Sequence, residues 1–489
     1  MMTTLIQNCS ILDSSSPKGY IEHQDILICD HRIAAVQSTG AIANSDRVID
    51  GQGLLALPGL INSHTHSPEN ILRATVEQLH LELWLVKQFA HRANFPPRLI
   101  YLITLAGTAE MIRSGTTAVL DHFWMAQSLT LEGLDAAMHA YAESGMRVGL
   151  APLVEDQNLI LEYAVRAEPR LALLEEDQEN RAVSSDLLVL LQDFFERWHL
   201  KENGRLKCLP GPGGPQWCSR HLLQGCLELA QQFNTGFHLH LAETWLQNKV
   251  CRSIYGRPAI LELEEMGILG PNTSIAHGVW ISDDEISSLA RTDTTIVHNP
   301  VSNLRLGSGI APIPQMLARG VDVALGTDGA ASNDNQNMFT AMKLMGLLHS
   351  PAIWETNAWL SARQVIESST LSGAKVLGYL NNLGRISKDY LADLVLLDLA
   401  QSFWTPATDA MQYLVFCETG SSIKYVIIDG KVILDNGTLA TVPEKDVHQE
   451  LKEQVDSYFN NYPQSSKKLT TLLDSWKAAL DKLIQEEKV

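Results

Sequence analysis

The chain has 489 residues, with 37 Lys and Arg against 56 Asp and Glu, and a formal net charge of −19. That charge argues against a nucleic-acid backbone or an anionic membrane as the main partner, and a hydrophobic fraction of 45% rules out wholesale disorder. At roughly 150 residues per domain the length allows three domains, or one enlarged α/β barrel with an appended domain. No apolar run approaches the roughly 18 residues needed to span a bilayer. The opening segment, MMTTLIQNCS, has no basic stretch followed by an apolar one, so no signal peptide is expected. The seven cysteines are dispersed and form no CxxC. This predicts reduced thiols in a cytoplasmic protein rather than a disulfide framework or a thiolate zinc site.

Residues 1–58 read as short strands over Thr4–Leu12, Asp25–Cys29 and Ile33–Gln37, punctuated by the turns CDHR and GQG. From 59 to 383 short apolar runs alternate with helix-length segments. The runs are Gly59–Ile61 leading to His66, Thr116–Asp121, Arg147–Pro152, Arg205–Pro210, Gly236–Leu241, Thr273–His277, Thr295–His298 and Val321–Asp328. Strand–helix alternation implies a parallel sheet, and eight such units predict a closed (β/α)8 barrel, the TIM barrel. Over 384–442 strand character returns in ADLVLLDL (392–399) and KYVIIDGKVILDNG (424–437), with tight DG and NG turns. The two terminal segments are expected to pair as one small β-sandwich beside the barrel. The tail, 443–489, is charged and helical in pattern, a surface helix or a helical hairpin.

Polar residues gather where the barrel strands end. His64 and His66 close the first strand, and residues two apart on a strand point to the same side. His240 and Glu243 stand in FHLHLAET (237–244), His277 ends SIAHGVW, and Asp328 lies in ALGTDGAASNDN. All fall at C-terminal strand ends, the face where barrel active sites are assembled. Imidazoles with one carboxylate and no thiolate suit one divalent ion, zinc or ferrous iron, in a hydrolytic site. Such an ion lowers the pKa of its water to about 7, and a nearby carboxylate can carry the released proton to a leaving group. Glu243, three residues beyond His240, can reach that water while staying off the metal; Asp328 can bind the metal and accept a proton.

Further residues have two readings each. His298, Asn299, Ser302, Asn303 and Arg305 form a polar loop after the seventh strand that can line the barrel mouth or cap a turn. Ser332, Asn333, Asp334 and Asn335 can shape the loop after Asp328 by local hydrogen bonds. Trp84, on a helix with Glu82, can stack on a flat heterocycle or pack in the core. Asp121, His122, Phe123 and Trp124 end the second strand and can face the pocket. His238 shares the inward face of His240 one layer deeper and reads as a core histidine. No GxxxxGK[ST] or GxSxG occurs, so neither a P-loop nor a serine hydrolase is supported.

Together PGLINSHTH (58–66), HLAET (240–244), AHGV (276–279), HNPVSNLRLGSGIAP (298–312), LGTDGAASNDNQNMF (325–339) and the late ADLVLLDL strand resemble the amidohydrolase superfamily, in its mononuclear deaminase/chlorohydrolase branch. The resemblance implies a barrel flanked by a β-sandwich from both termini. It also implies that His64, His66, His240 and Asp328 hold one metal, zinc or iron. Glu243 would shuttle a proton from the metal's water to the leaving group, and His277 would polarise that water or stabilise developing charge. Members are often homo-oligomers. The fourth strand, KCLPGPGG (207–214), has no Lys at its end, which disfavours a carbamylated-lysine binuclear site.

Within the branch the chain is similar to S-adenosylhomocysteine and methylthioadenosine deaminases and to chlorotriazine hydrolases, with ILRATVEQLHLELWL (71–85) matching both. One departure stands out. Where the adenosine-type enzymes carry a His in a GPHxPY-like turn, this chain reads GPGGPQW (211–217). The implied activity is metal-dependent hydrolytic deamination of an amino-substituted N-heterocycle (adenosine-type, purine, pterin or triazine), with ammonia released. The alternatives are dechlorination or N-dealkylation of a triazine-like ring by the same site, or a silent scaffold relative. Trp84, Gln216, Trp217, Asn303 and Ser332 are the candidate substrate contacts.

Overall fold

A computed structural model describes residues 2–42, 45–91, 95–125, 129–172, 183–406, 408–461 and 467–487. The N-terminal segment forms β1 (Thr3–Leu12), β2 (Tyr20–Cys29), β3 (Arg32–Ser38), β4 (Arg47–Asp50) and β5 (Leu54–Pro58). The eight apolar runs then become β6 (Leu60–Thr65), β7 (Thr116–Phe123), β8 (Arg147–Val154), β9 (Leu206–Cys208) with its short extension β10 (Gly211–Pro212), β11 (Phe237–Leu241), β12 (Thr273–His277), β13 (Thr295–His298) and β14 (Val323–Leu325). Near the C-terminus come β15 (Leu394–Asp398), β16 (Ile423–Ile428), β17 (Lys431–Asp435) and β18 (Thr438–Leu439).

The barrel is built from two parallel arcs. β6, β7 and β8 pair in order, and both β9 and β10 pair with β8; β11 to β14 pair in order. Backbone hydrogen bonds bridge the two seams. His238 N donates to Pro210 O at 3.2 Å and His240 N to Gly213 O at 3.3 Å, while Asp328 N donates to His64 O at 2.8 Å. Every residue of β6, β7 and β8 is buried, so these strands do not alternate between an apolar buried face and a polar exposed one.

Strands from both chain ends meet in one continuous nine-stranded sheet, ordered β18-β17-β16-β15-β5-β1-β2-β3 with β4 added on β1. The joint is the antiparallel β5–β15 pair. Its side chains alternate. Leu55, Leu57, Val395 and Leu397 join the large core shared with the barrel. Ala56, Leu394 and Leu396 face a second core with Ile6, Ile26, Ile28 and Ile427. A buried ion cluster seats this sheet on the barrel. Arg147, the first residue of β8, donates twice to Asp393 at 2.8 and 3.0 Å and once to Asp429 at 3.2 Å.

The tail forms two helices, Glu444–Asn461 and Lys467–Glu487; residues 462–466 and 488–489 of this segment lie outside those described. The second is not merely a surface helix. Its Trp476, Ala479, Leu480 and Leu483 are buried with Ile160, Leu161, Leu246 and Val250. All seven cysteines are free. Among the described residues no helix is long and apolar enough to cross a membrane.

Candidate active site

The strand ends bring the predicted ligands together. His64 lies on β6 with His66 just beyond it, and Asp328 arrives three residues after β14. Asp328 Oδ1 is 3.3 Å from His66 Nε2 and 3.6 Å from His64 Nε2. His240, on β11, places its Nε2 3.3 Å from His66 Nε2. His277, which ends β12, has its Nε2 3.8 Å from Glu243 Oε2 and 3.9 Å from Asp328 Oδ2. The donor atoms of His64, His66 and Asp328 lie within 4.8 Å of one another, as do those of His64, His240 and His277. All six side chains are buried.

Close packing and strain hold this geometry. A Cβ on Gly326 would sit 2.4 Å from Asn299 Oδ1 and 2.9 Å from the His64 Cβ, so the approach of β14 to β6 needs glycine there. His277 and Asp328 both adopt positive φ, 78° and 65°. Such strain persists only where the surroundings over-determine it, and it clusters at functional sites. A polar cradle fixes the turn before Asp328: Thr327 N donates to Asn62 Oδ1 at 3.0 Å, and Asn62 Nδ2 donates to Thr327 Oγ1 at 2.7 Å. Gln336 Nε2 donates to the Asp328 carbonyl at 3.2 Å.

The imidazoles are oriented from behind. His66 Nδ1 donates to the His122 carbonyl and His240 Nδ1 to the Gly213 carbonyl, the latter at 3.2 Å. His277 Nδ1 donates to Asn303 Oδ1 at 2.9 Å. A carbonyl oxygen can only accept, so in the neutral ring each of these Nε2 atoms presents a lone pair to the common centre. His64 Nε2 is buried there with no hydrogen-bond partner among the described residues. Burial holds His64 and His240 well below the ordinary histidine range, and the neighbouring imidazoles add to the effect, so both are neutral. Neutral imidazoles converging with one carboxylate are the donor set that a divalent cation takes.

Glu243 stands beside this group. Burial lifts its carboxyl above the ordinary range; His277 opposes the rise, and Asp328 and Glu82 add to it. Ser308 Oγ donates to Glu243 Oε1 at 3.2 Å, and the Glu243 backbone N–H donates to Gln247 Oε1 at 3.0 Å. Glu82 accepts from Thr244 Oγ1 at 2.8 Å, which ties the helix Leu81–His91 to the end of β11.

The candidate substrate contacts are placed differently from one another. Gln216 is fully buried, and neither polar atom of its amide has a partner among the described residues. Trp217 meets His240 edge to face, with ring centroids 6.4 Å apart. Trp84 is buried in the main core with its indole N–H unpaired among the described residues. Asn303 holds His277, and Ser332 Oγ donates to Gly329 O at 3.2 Å within the turn after Asp328. Arg305 turns away to Asp334 and the Val76 carbonyl. Asp121 accepts from Ser67 N and from the Tyr141 hydroxyl. Lys207 donates to the Leu377 and Gly378 carbonyls and lies over the Tyr379 ring, so it bridges nothing at the site. Ser308, Asn62 and Gln336 were not singled out from sequence. The contact of Ser308 with Glu243 spans 65 residues and that of Asn62 with Thr327 spans 265, so no local pattern marks them.

Known proteins share this architecture. A 5'-deoxyadenosine deaminase of Methanosarcina acetivorans is 32% identical over 92% of this chain and 97% of the relative. A 5-methylthioadenosine/S-adenosylhomocysteine deaminase of Syntrophomonas wolfei is 32% identical over 92% and 98%. Among solved structures, an adenosine deaminase from Xanthomonas campestris with bound zinc superposes with a TM-score of 0.83 at 22% identity, covering 94% of this chain and 99% of that one. Zinc-complexed atrazine chlorohydrolase from Arthrobacter aurescens also reaches 0.83, at 25% identity over 92% and 100%. The model of the Amidohydrolase family matches residues 55–433, a span that takes in every barrel strand, and the chain belongs to that family.

Proposed function

We propose that this protein is a metal-dependent hydrolase that replaces the amino group of an adenosine-type N-heterocycle with oxygen and releases ammonia. The observation that carries the reading is the convergence of four imidazole Nε2 atoms and one carboxylate in one buried group, with a second carboxyl, Glu243, beside it. The deaminase names of the relatives, at 32% identity over nearly the whole chain, supply the substrate class.

His64, His66, His240 and Asp328 would hold one divalent ion, zinc in preference to ferrous iron because the zinc-bearing neighbours share the fold. Such an ion supplies a Lewis acid that makes water nucleophilic near neutral pH. Glu243 takes the proton of the attacking water and passes it to the departing amine. Its raised affinity for protons, a consequence of burial, suits a group that must hold one between two transfers. Ser308 fixes Oε1 and leaves Oε2 toward His277. His277, its Nδ1 proton spent on Asn303, accepts through Nε2 and orients the water against the ring carbon. Gln216, whose buried amide has no hydrogen-bond partner among the described residues, and Trp217, edge-on to His240, would contact the ring. Seven free thiols and no disulfide are in keeping with a reducing compartment such as the cytoplasm.

The likeness to atrazine chlorohydrolase and the GPGGPQW turn, with Gln216 where adenosine-type enzymes carry a His-containing turn, favour a second reading in which the same residues displace chloride or an alkylamine from a triazine. Metal-quantified protein assayed for ammonia, chloride and alkylamine release over adenosines with altered 5′ groups, guanine, oxidised purines, pterins and aminotriazines decides between them. Ammonia from an adenosine, abolished by chelation, is the expected result. Chloride release alone establishes the second reading, and turnover that survives chelation overturns both.

A further inference from the structure

Three of the four converging imidazoles take their orientation from a carbonyl oxygen, but His64 does not. Its Nδ1 lies 2.9 Å from Nε2 of His238, and His238 Nδ1 lies 2.7 Å from Ser274 Oγ. The Ser274 hydroxyl is in turn 3.4 Å from the Phe237 carbonyl oxygen. All three side chains are buried. An imidazole nitrogen and a hydroxyl can each donate or accept, so this column has two self-consistent proton arrangements.

In the first, Ser274 donates to Phe237 O, His238 Nδ1–H donates to Ser274, and His64 Nδ1–H donates to His238 Nε2. His64 Nε2 then carries a lone pair. In the second, every bond is reversed: Ser274 donates to His238 Nδ1, His238 Nε2–H donates to His64 Nδ1, and His64 Nε2 carries a proton. That N–H would be buried with no acceptor within hydrogen-bond distance among the described residues, Asp328 Oδ1 lying 3.6 Å away, and a protonated nitrogen cannot ligate a cation. The Phe237 carbonyl, which can only accept, gives the hydroxyl a partner in the first arrangement.

We propose that Ser274 and His238 are positioning residues that hold His64 in its Nδ1–H tautomer and so make its Nε2 a metal ligand. This rests on the reading of His64 as a ligand. His238 is thus more than a core histidine: it transmits to His64 a preference that originates at a serine on the neighbouring strand, β12.

The test compares Ser274→Ala with Ser274→Thr. Alanine leaves His238 Nδ1–H without an acceptor and tips the column toward the second arrangement; threonine keeps the hydroxyl. Zinc affinity is read by competition with a chromophoric chelator, and ligand geometry by the visible absorption of the cobalt-substituted protein. Ser274→Ala is expected to bind zinc about 10–100-fold more weakly with an altered cobalt spectrum, and Ser274→Thr to restore both. Should Ser274→Ala not fold, His238→Gln, which can still accept from His64, against His238→Leu, which cannot, carries the same comparison. Equal affinity in Ser274→Ala and the parent overturns the relay while leaving the proposed activity standing. Two ions per chain, one of them lost in His238→Leu, would also overturn it, by making His64, His122 and His238 a second site. A parent chain that binds no zinc overturns the metal reading itself.

Discussion

The two ends of the barrel differ in how their buried polar groups are answered. At the N-terminal end, Arg147 is completely enclosed, yet two carboxylates answer it: Asp393 with two hydrogen bonds and Asp429 with one, while the Tyr379 ring lies 5.1 Å from its guanidinium. At the C-terminal end, His64 Nε2, both polar atoms of Gln216 and the Trp84 indole N–H are just as enclosed and have no hydrogen-bond partner among the described residues. The backbone differs in the same sense, with positive φ at His277 and Asp328 on the upper face. Buried groups that satisfy one another hold the fold together. Buried groups left with spare bonding capacity mark where something else is to be held.

The largest effects should separate the two ends cleanly. Arg147→Ala strands Asp393 and Asp429 in the interior and should cost about 3–5 kcal/mol of stability in denaturant unfolding. Turnover per folded, metal-loaded molecule should stay near the parent's. Glu243→Gln should do the reverse: kcat falls by about 10²–10⁴-fold, with zinc content unchanged and no loss of stability. If Glu243→Gln retained full turnover with metal bound, Glu243 would not be the proton carrier. If Arg147→Ala unfolded no more readily than the parent, the lower ion cluster would not be what seats the sheet. A smaller effect, about 1–3 kcal/mol, is expected of Gly326→Ala. Its methyl group would collide with Asn299 and His64, so stability and zinc affinity should fall together, whereas a purely structural site would lose stability alone.

How much of this was legible beforehand follows from where partners lie in the chain. The barrel strands were readable because parallel strands buried on both faces carry short apolar stretches, such as AVL in β7 and VGLAPLV in β8, without polar alternation. His64, His66, His240, Glu243, His277 and Asp328 were readable because each sits at a strand's end, where position alone decides the face. Their supports were not. Ser274 and Ser308 are ordinary serines until folding brings them to His238, 36 residues away, and to Glu243, 65 residues away. The C-terminal helix looked exposed for a related reason: Trp476 and Leu480 bury against Ile160 and Leu246, residues that no local pattern links to the tail. Arg147 also gave no sign, since its carboxylates lie 246 and 282 residues downstream.

The finest test of the contrast uses one residue in the metal-free protein. Burial raises the proton affinity of Glu243 in the fold, with Asp328 and Glu82 adding to it. A carboxyl whose folded pKa lies above its unfolded one binds more protons when folded, so stability falls as pH rises through that window. Below the unfolded pKa the residue is neutral in both states and the penalty is absent. Above the folded pKa it is charged in both states and the penalty is complete. Removing the charge should therefore help: metal-free Glu243→Gln should melt at a higher temperature than the parent at neutral pH, and the gain should shrink as pH is lowered toward the ordinary glutamate range. Charge removal at the lower end, in Arg147→Ala, should destabilise at neutral pH. If Glu243→Gln melted lower than the parent at neutral pH, its carboxylate would be a structural partner of the kind found around Arg147, and the two ends of the barrel would not differ in the way their hydrogen bonds imply.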